Sequence, residues 1–425
     1  MKSFGRLLLS SVAGLVCEKL VGAIASVASN HLFTSVYGAR LFGELQFALS
    51  LAYVVGGVAM VFSSDAVAPI LGKHPRLRHL VLYRAFRLRL VSTLVVMLVF
   101  VSLAWALMTQ ASADFTLVAA MLLIAEPLSL GGLMAYSEKR PWVVTRAKTL
   151  ASSARVLWLL ATAHLSAGAV IASFAWPIEG FIATAGPLSR YFKLAFRAPK
   201  SFLGDETLTR AIVTRGVKFW PAMAVSMLTV KLDRILLAAL MSKTDLGIYS
   251  AAAALVEQWN WVGVALALAL APSMVFGARN ETELRAKALK LSFSLGLLAT
   301  FGFIGSVAIG REAFLKIYGA SFEAGAPVMI FATGCSIVTF ADAGLSTWLI
   351  AGRRYLLILI KQGLTVAAIA ASPFLVPQEA IMFAPPAATA LAIVLFWCGV
   401  YGWPLTRASK LPSLPTPNSR PESNG

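Results

Sequence analysis

Lys231, Asp233 and Arg234 stand in a stretch, Phe219 to Leu240, that is otherwise apolar. A charge at the centre of a bilayer costs about 2.5–3.5 kcal/mol, so three cost about 7–10 kcal/mol, against about 3–5 kcal/mol returned by the apolar residues of the same stretch. A helix with that balance cannot face lipid on all sides. Its charges must look into a bundle interior or a watery cavity. Lys231 and Arg234 are three residues apart, about 60° on a helix, and so address one ligand. Arginine suits bidentate contact with an oxyanion, and lysine acts as a point charge. Asp233 is expected to tether Arg234 from the side and leave Lys231 charged. Lys19, across the bundle, and Arg40, at one mouth, are the further cations deep enough to serve the same ligand. In the competing reading the cluster only anchors its helix at the outer interface, with Arg234 reaching toward water.

Acids form the second set: Glu18, Glu126, Asp233, Glu257 and Asp342, each inside an apolar run. Buried acids either carry protons or hold ion pairs and hydrogen bonds. Glu126 precedes Pro127, which frees a backbone carbonyl. Asp342 has small neighbours that permit close helix contact. No residue set has catalytic or metal-ligand spacing. The four histidines are scattered, and Cys17, Cys335 and Cys398 read as small core residues.

These residues need helices to hold them. The chain has 425 residues, 58% hydrophobic and only 13% charged, against about 25% charged in soluble domains. This composition, with long apolar runs, specifies an all-α polytopic membrane protein. Twelve spans are expected, at about 7–28, 43–63, 88–109, 115–136, 149–165, 168–188, 217–241, 248–276, 288–309, 325–350, 355–375 and 382–403. The net charge of +18 is not a nucleic-acid signature, because the cations follow loop parity. Of 37 Lys and Arg, 29 fall in the N-terminus and even loops. Four (Arg40, Lys243, Arg311, Lys316) fall in odd loops and four (Lys19, Arg155, Lys231, Arg234) in spans. That asymmetry predicts both termini in the cytoplasm. The expected organisation is a six-helix lobe over 1–188, a cytosolic loop over 189–216, a second six-helix lobe over 217–403 and a disordered tail over 404–425.

A loose repeat links the halves. Phe42-Gly43-Glu44-Leu45-Gln46-Phe47-Ala48 opens the second span, and Leu246-Gly247-Ile248-Tyr249-Ser250-Ala251-Ala252 the eighth. Each follows a span carrying charge at depth. Repeats of six helices are parallel, related by an axis along the membrane normal.

The run Lys231-Leu-Asp-Arg-Ile-Leu-Leu, followed by Leu246-Gly-Ile-Tyr-Ser-Ala-Ala, resembles the opening of the second lobe of polysaccharide biosynthesis flippases. These are O-antigen (Wzx-like) flippases of the multidrug/oligosaccharidyl-lipid/polysaccharide (MOP) exporter superfamily. Ile317-Tyr-Gly-Ala-Ser-Phe-Glu-Ala-Gly-Ala-Pro-Val-Met, Leu349-Ile-Ala-Gly-Arg-Arg354 and Ala39-Arg-Leu-Phe-Gly-Glu44 resemble the same family. The resemblance implies two six-helix lobes in a MATE-like V that opens alternately to either side. It implies transport of lipid-linked oligosaccharide, on undecaprenyl diphosphate, across a bacterial inner membrane for surface polysaccharide assembly, alongside a polymerase and glycosyltransferases and with no cofactor or nucleic acid. Lys19, Arg40, Lys231 and Arg234 would then hold the diphosphate, and Trp176, Trp259 and Trp348 become candidates for stacking on sugar, against a plain role in packing. A drug/cation antiporter of the same superfamily is the alternative. A polysaccharide polymerase or ligase fits less well, for want of a large outer loop.

Overall fold

The computed structural model describes residues 2–62, 67, 71, 78–108, 110–138, 140–195, 206–352 and 354–402, with the backbone alone for 2–19, 107, 110–111, 141, 190, 192–195, 206–208, 219, 273 and 402. The side chains of Glu18 and Lys19, the loop segment 196–205 and the tail 404–425 lie outside what is described. Every regular element among the described residues is helical. The α-helices are α1 (Lys2–Ala59), α2 (Arg78–Leu107), α3 (Gln110–Leu128), α4 (Leu130–Ser137), α5 (Pro141–His164), α6 (Ala169–Ser173), α7 (Ala175–Ala195), α8 (Glu206–Leu240), α9 (Lys243–Met274), α10 (Glu281–Tyr318), α11 (Gly325–Ala351), α12 (Tyr355–Ala371) and α13 (Ala384–Gly402). Among the described residues, nine stretches are long and apolar enough to cross a membrane. Neither α5 nor α8 is one of them. Both carry charge in mid-helix, Arg155 in the first and Lys231, Asp233 and Arg234 in the second.

Helices run further than hydropathy alone predicts. At about 1.5 Å per residue, 58 unbroken residues of α1 would be about 87 Å long, nearly three bilayer cores. The helix breaks at Gly38, whose φ of 75° lies in the region that side chains disfavour. Ser26 and Asn30 before the break line the same cavity as Gln46, Leu49 and Tyr53 after it, so the chain turns back on itself at Gly38. The loop expected at 29–42 is therefore helix, and Arg40 is a helical residue. Between α8 and α9 the expected loop shrinks to Met241 and Ser242. The Ser242 hydroxyl caps α9 by accepting the Asp245 N–H at 3.1 Å. Asn280 caps α10 in the same way, through the Glu283 N–H at 2.8 Å.

The core is shared at one end of the molecule and divided at the other. One apolar cluster joins both halves of the chain, with Phe33, Phe42 and Leu45 against Leu246, Ala252, Phe314 and Phe322. At the opposite end two clusters stand apart. One is built on Leu80, Met134, Val144 and Tyr191, the other on Leu284, Leu291, Trp348 and Phe396. The joined end is where the repeat motifs meet. A Cβ on Gly43 would run into the Lys243 carbonyl oxygen, and one on Gly247 into the Ala39 carbonyl oxygen. The two glycines let the backbones of α1 and α9 touch there, as small residues do in membrane helix crossings.

Three cations counted with the loops are buried in helices instead: Arg84 and Arg89 in α2, and Lys361 in α12. The aliphatic stem of Arg84 extends the apolar surface of α2, so hydropathy places the start of that helix too late in the chain, at 88 rather than Arg78, whereas Arg89 and Lys361 already fall inside expected spans. Trp348 and Trp259 are core residues. Trp348 donates to Glu281 at 2.5 Å, and Trp259 stacks on Phe340 at 5.0 Å. Of the three tryptophans proposed for sugar, Trp176 alone lines a cavity described below.

Candidate functional site: two adjoining polar cavities

Between the halves lies a cavity of about 370 Å³, and beside it a second of about 400 Å³. Ser26, Leu122, Trp176, Gly180 and Gln258 form walls of both. The first is closed off from the joined end by the core around Phe33 and Phe42. Its polar lining includes Asn30, Gln46, Tyr53, Glu126, Lys231, Glu257 and Gln258.

On α8, Met227, Lys231 and Arg234 follow one another at four and three residues, one stripe of a helix. On α9, Ala254, Glu257, Gln258 and Trp261 do the same. Where the stripes face each other, the Lys231 ammonium donates to both oxygens of Glu257, at 2.8 and 2.7 Å. Arg234 Nη1 donates to Glu257 Oε1 at 2.7 Å. Lys231 also lies 5.8 Å from the centre of the Tyr53 ring, within cation–π reach. The side chain of Lys231 is 16% exposed and that of Arg234 is 0%. Lys231 therefore meets the cavity, while Arg234 stands behind Glu257 and holds it.

This corrects one expectation. Asp233 is not hydrogen-bonded to Arg234. It accepts the Tyr249 hydroxyl at 2.7 Å, and Glu257 takes its place as the arginine's counter-ion. The reason is geometric: a helix points residues 233 and 234 about 100° apart, so Asp233 meets Tyr249 near the start of α9 while Arg234 meets Glu257 about two turns further along it. Glu257 answers two cations that lie 26 and 23 residues away along the chain, so no neighbour in sequence announces the pairing.

Glu126 lines the first cavity at the break between α3 and α4. Its backbone carbonyl accepts Arg89 Nη1 at 3.1 Å and the Ser129 hydroxyl at 2.8 Å, so the region loosened by Pro127 is capped by a guanidinium. Asp342 is outside both cavities. Lys361 donates to its two oxygens at 2.8 and 2.7 Å, and the Trp397 indole N–H to Oδ1 at 2.7 Å. Lys361 lies 19 residues further along the chain, on α12, so the pair is made between helices and not by neighbours in sequence. Arg40, offered as a ligand at the mouth, is 75% exposed and sits 3.8 Å from Glu44, on the far side of the Gly43–Gly247 contact.

The second cavity holds a group that sequence reasoning left aside. Arg155 of α5 pairs through Nη1 with Glu179 of α7 and through Nε with the Ser29 hydroxyl of α1 at 2.8 Å. Ser152 donates to the other oxygen of Glu179 at 2.8 Å. The signal was available: Lys148, Ser152 and Arg155 stand at i, i+4 and i+7 of one segment.

A fold of this kind is shared with transporters of the MOP superfamily. An inward-facing multidrug resistance MATE family transporter superposes with a TM-score of 0.61 at 11% identity, covering 92% of this chain and 96% of the other. The lipid II flippase MurJ, in an inward closed conformation, gives 0.64 at 11% identity over 91% of this chain and 87% of its own. A MOP superfamily transporter from Pyrococcus furiosus, described as having a binding pocket of reverse polarity, gives 0.57 at 12% identity over 95% of both chains. At these identities the likeness is one of fold: an all-α, MATE-like, multi-pass membrane architecture. No family model matches the chain, and no curated protein matches it.

Proposed function

We propose that the protein is a flippase carrying a lipid-linked oligosaccharide, on undecaprenyl diphosphate, across the bacterial cytoplasmic membrane by alternating access. The observation that carries this reading is Lys231, a cation at the wall of a polar cavity between the two halves of the chain, held by a carboxylate that an incoming anion can replace. A diphosphate crossing about 30 Å of hydrocarbon needs fixed positive charge and water on its path, while its lipid tail stays in the bilayer. Glu257 supplies the exchange. Its oxygens lie 2.7–2.8 Å from the lysine, where phosphate oxygens would sit, and Arg234 keeps the displaced carboxylate. Asn30, Gln46, Gln258 and Trp176 offer the hydrogen bonds and the flat face that sugars use. The six-helix lobes, their cytosolic connection over 189–216 and the cytosolic termini belong to the same reading. In this reading the divided end faces the cytoplasm. Lipopolysaccharide O-antigen or exopolysaccharide assembly is the pathway class it serves.

A second reading has one observation in its favour. Glu126 and Glu257 both line the first cavity, and two acids suit an organic cation, as in a drug antiporter. Purified protein in liposomes decides between them. Translocation of an undecaprenyl-diphosphate oligosaccharide, without uptake of tetraphenylphosphonium, is the expected result. Uptake of the cation with no lipid movement overturns the flippase reading.

A further inference from the structure

The second cavity is charged differently from the first. Its ionisable lining is Lys148, Arg155 and Glu179, one positive charge in excess. A guanidinium carries five N–H donors in a planar fork. Arg155 spends Nη1 on Glu179 and Nε on Ser29, and its buried Nη2 has no hydrogen-bond partner. The two oxygens of Glu179 are bonded to Arg155 Nη1 and to the Ser152 hydroxyl, and neither is bonded to Nη2. A buried donor left without a partner is costly, and such a group in a native structure marks a missing water or ligand. The group that a free guanidinium edge matches best is an oxyanion. Trp176 and Trp261 stand in the wall of the same cavity, with flat faces for a sugar ring.

We infer that the Lys148–Ser152–Arg155 face of α5 is a second anion-binding station, and that the carried head group bears a carboxylate or phosphate on its sugar in addition to the diphosphate. This rests on the flippase reading and deepens it to acidic lipid-linked oligosaccharides. The diphosphate meets Lys231 in the first cavity, the sugars run past the shared wall at Trp176 and Gln258, and the acidic group meets Arg155. Glu179 and Ser29 are positioning residues that hold the guanidinium still.

The test is calorimetric binding to the full-length protein in lipid nanodiscs, with cellobiouronic acid as the acidic probe and cellobiose as its neutral counterpart. The wild type is expected to bind the acid at least fivefold more tightly. Arg155→Gln removes the difference, Arg155→Lys keeps part of it, and Lys231→Gln leaves it intact. Lys148→Gln lowers it at least twofold and serves if Arg155→Gln fails to fold. Inorganic diphosphate at saturation should not displace the acid. Equal binding of the two probes, or a difference untouched by Arg155→Gln or by Lys148→Gln, overturns the station. Displacement by diphosphate also overturns it, because acid and diphosphate then share one site. Liposome translocation of the lipid diphosphate is scored separately, so loss of the flippase reading and loss of the second station are told apart.

Discussion

Lys231 and Glu257, 26 residues apart, form a bidentate pair at the wall of the first cavity, with Arg234 bonded to the same carboxylate from the buried side. Removing one member of a buried pair leaves an uncompensated charge, while removing both can be nearly neutral.

Glu257→Gln should therefore destabilise the protein by about 3–5 kcal/mol, because two cations lose their shared counter-ion. The Lys231→Met, Arg234→Met, Glu257→Met triple variant, which removes all three charges together, should recover much of that stability and still fail to move lipid. Lys231→Arg should keep partial transport, and Lys231→Ala should lose most of it while remaining in the membrane. Melting temperature in detergent, read beside liposome transport, checks all four. Full transport by the triple variant would remove Lys231 from the substrate path.

The Gly43–Gly247 contact makes a second expectation. A Val at position 43 puts a branched side chain against the Lys243 carbonyl and should force α1 and α9 apart at the joined end. In a variant free of native cysteines, Tyr53→Cys should then react severalfold faster with an impermeant thiol reagent added from the side where Glu379 lies. An unchanged rate means the crossing is not the closure at that end.

Orientation follows from the 29-to-4 partition of Lys and Arg. Glu379 and Arg279 are both exposed and belong to opposite loop parities. Cysteine at 379 should be labelled from outside intact cells, and cysteine at 279 only after permeabilisation. The opposite pattern inverts the membrane orientation and with it the side on which the divided end opens.

Asp342 should behave as a structural residue. Its two oxygens are held by Lys361 and Trp397, so Asp342→Asn should lower the melting temperature and the amount of protein in the membrane, because it strands the buried ammonium of Lys361. Whatever transport remains should keep the wild-type response to an imposed pH gradient. Loss of that response, with stability intact, would make Asp342 a proton carrier instead.

What the sequence determined alone is what depends on local chemistry. Among the described residues each of the twelve apolar runs falls mainly on helix, because insertion cost and the helical period are properties of a short stretch of chain. The insertion cost of Lys231, Asp233 and Arg234 also required an inward-facing home, whatever surrounded it. The Gly43 and Gly247 motifs were legible as a repeat for the same reason. Tertiary structure decided the pairings. Glu257 rather than Asp233 answers Arg234, Lys361 answers Asp342, and Glu179 with Ser29 answers Arg155, in each case because two or three helices cross at a particular rotation. Rotation about a helix axis is set by how whole faces pack, and neighbours along the chain carry no record of it. The reach of α1 past Arg40 was hidden likewise. A charged residue at a helix end and one in a loop have the same hydropathy, and only the packed bundle tells them apart.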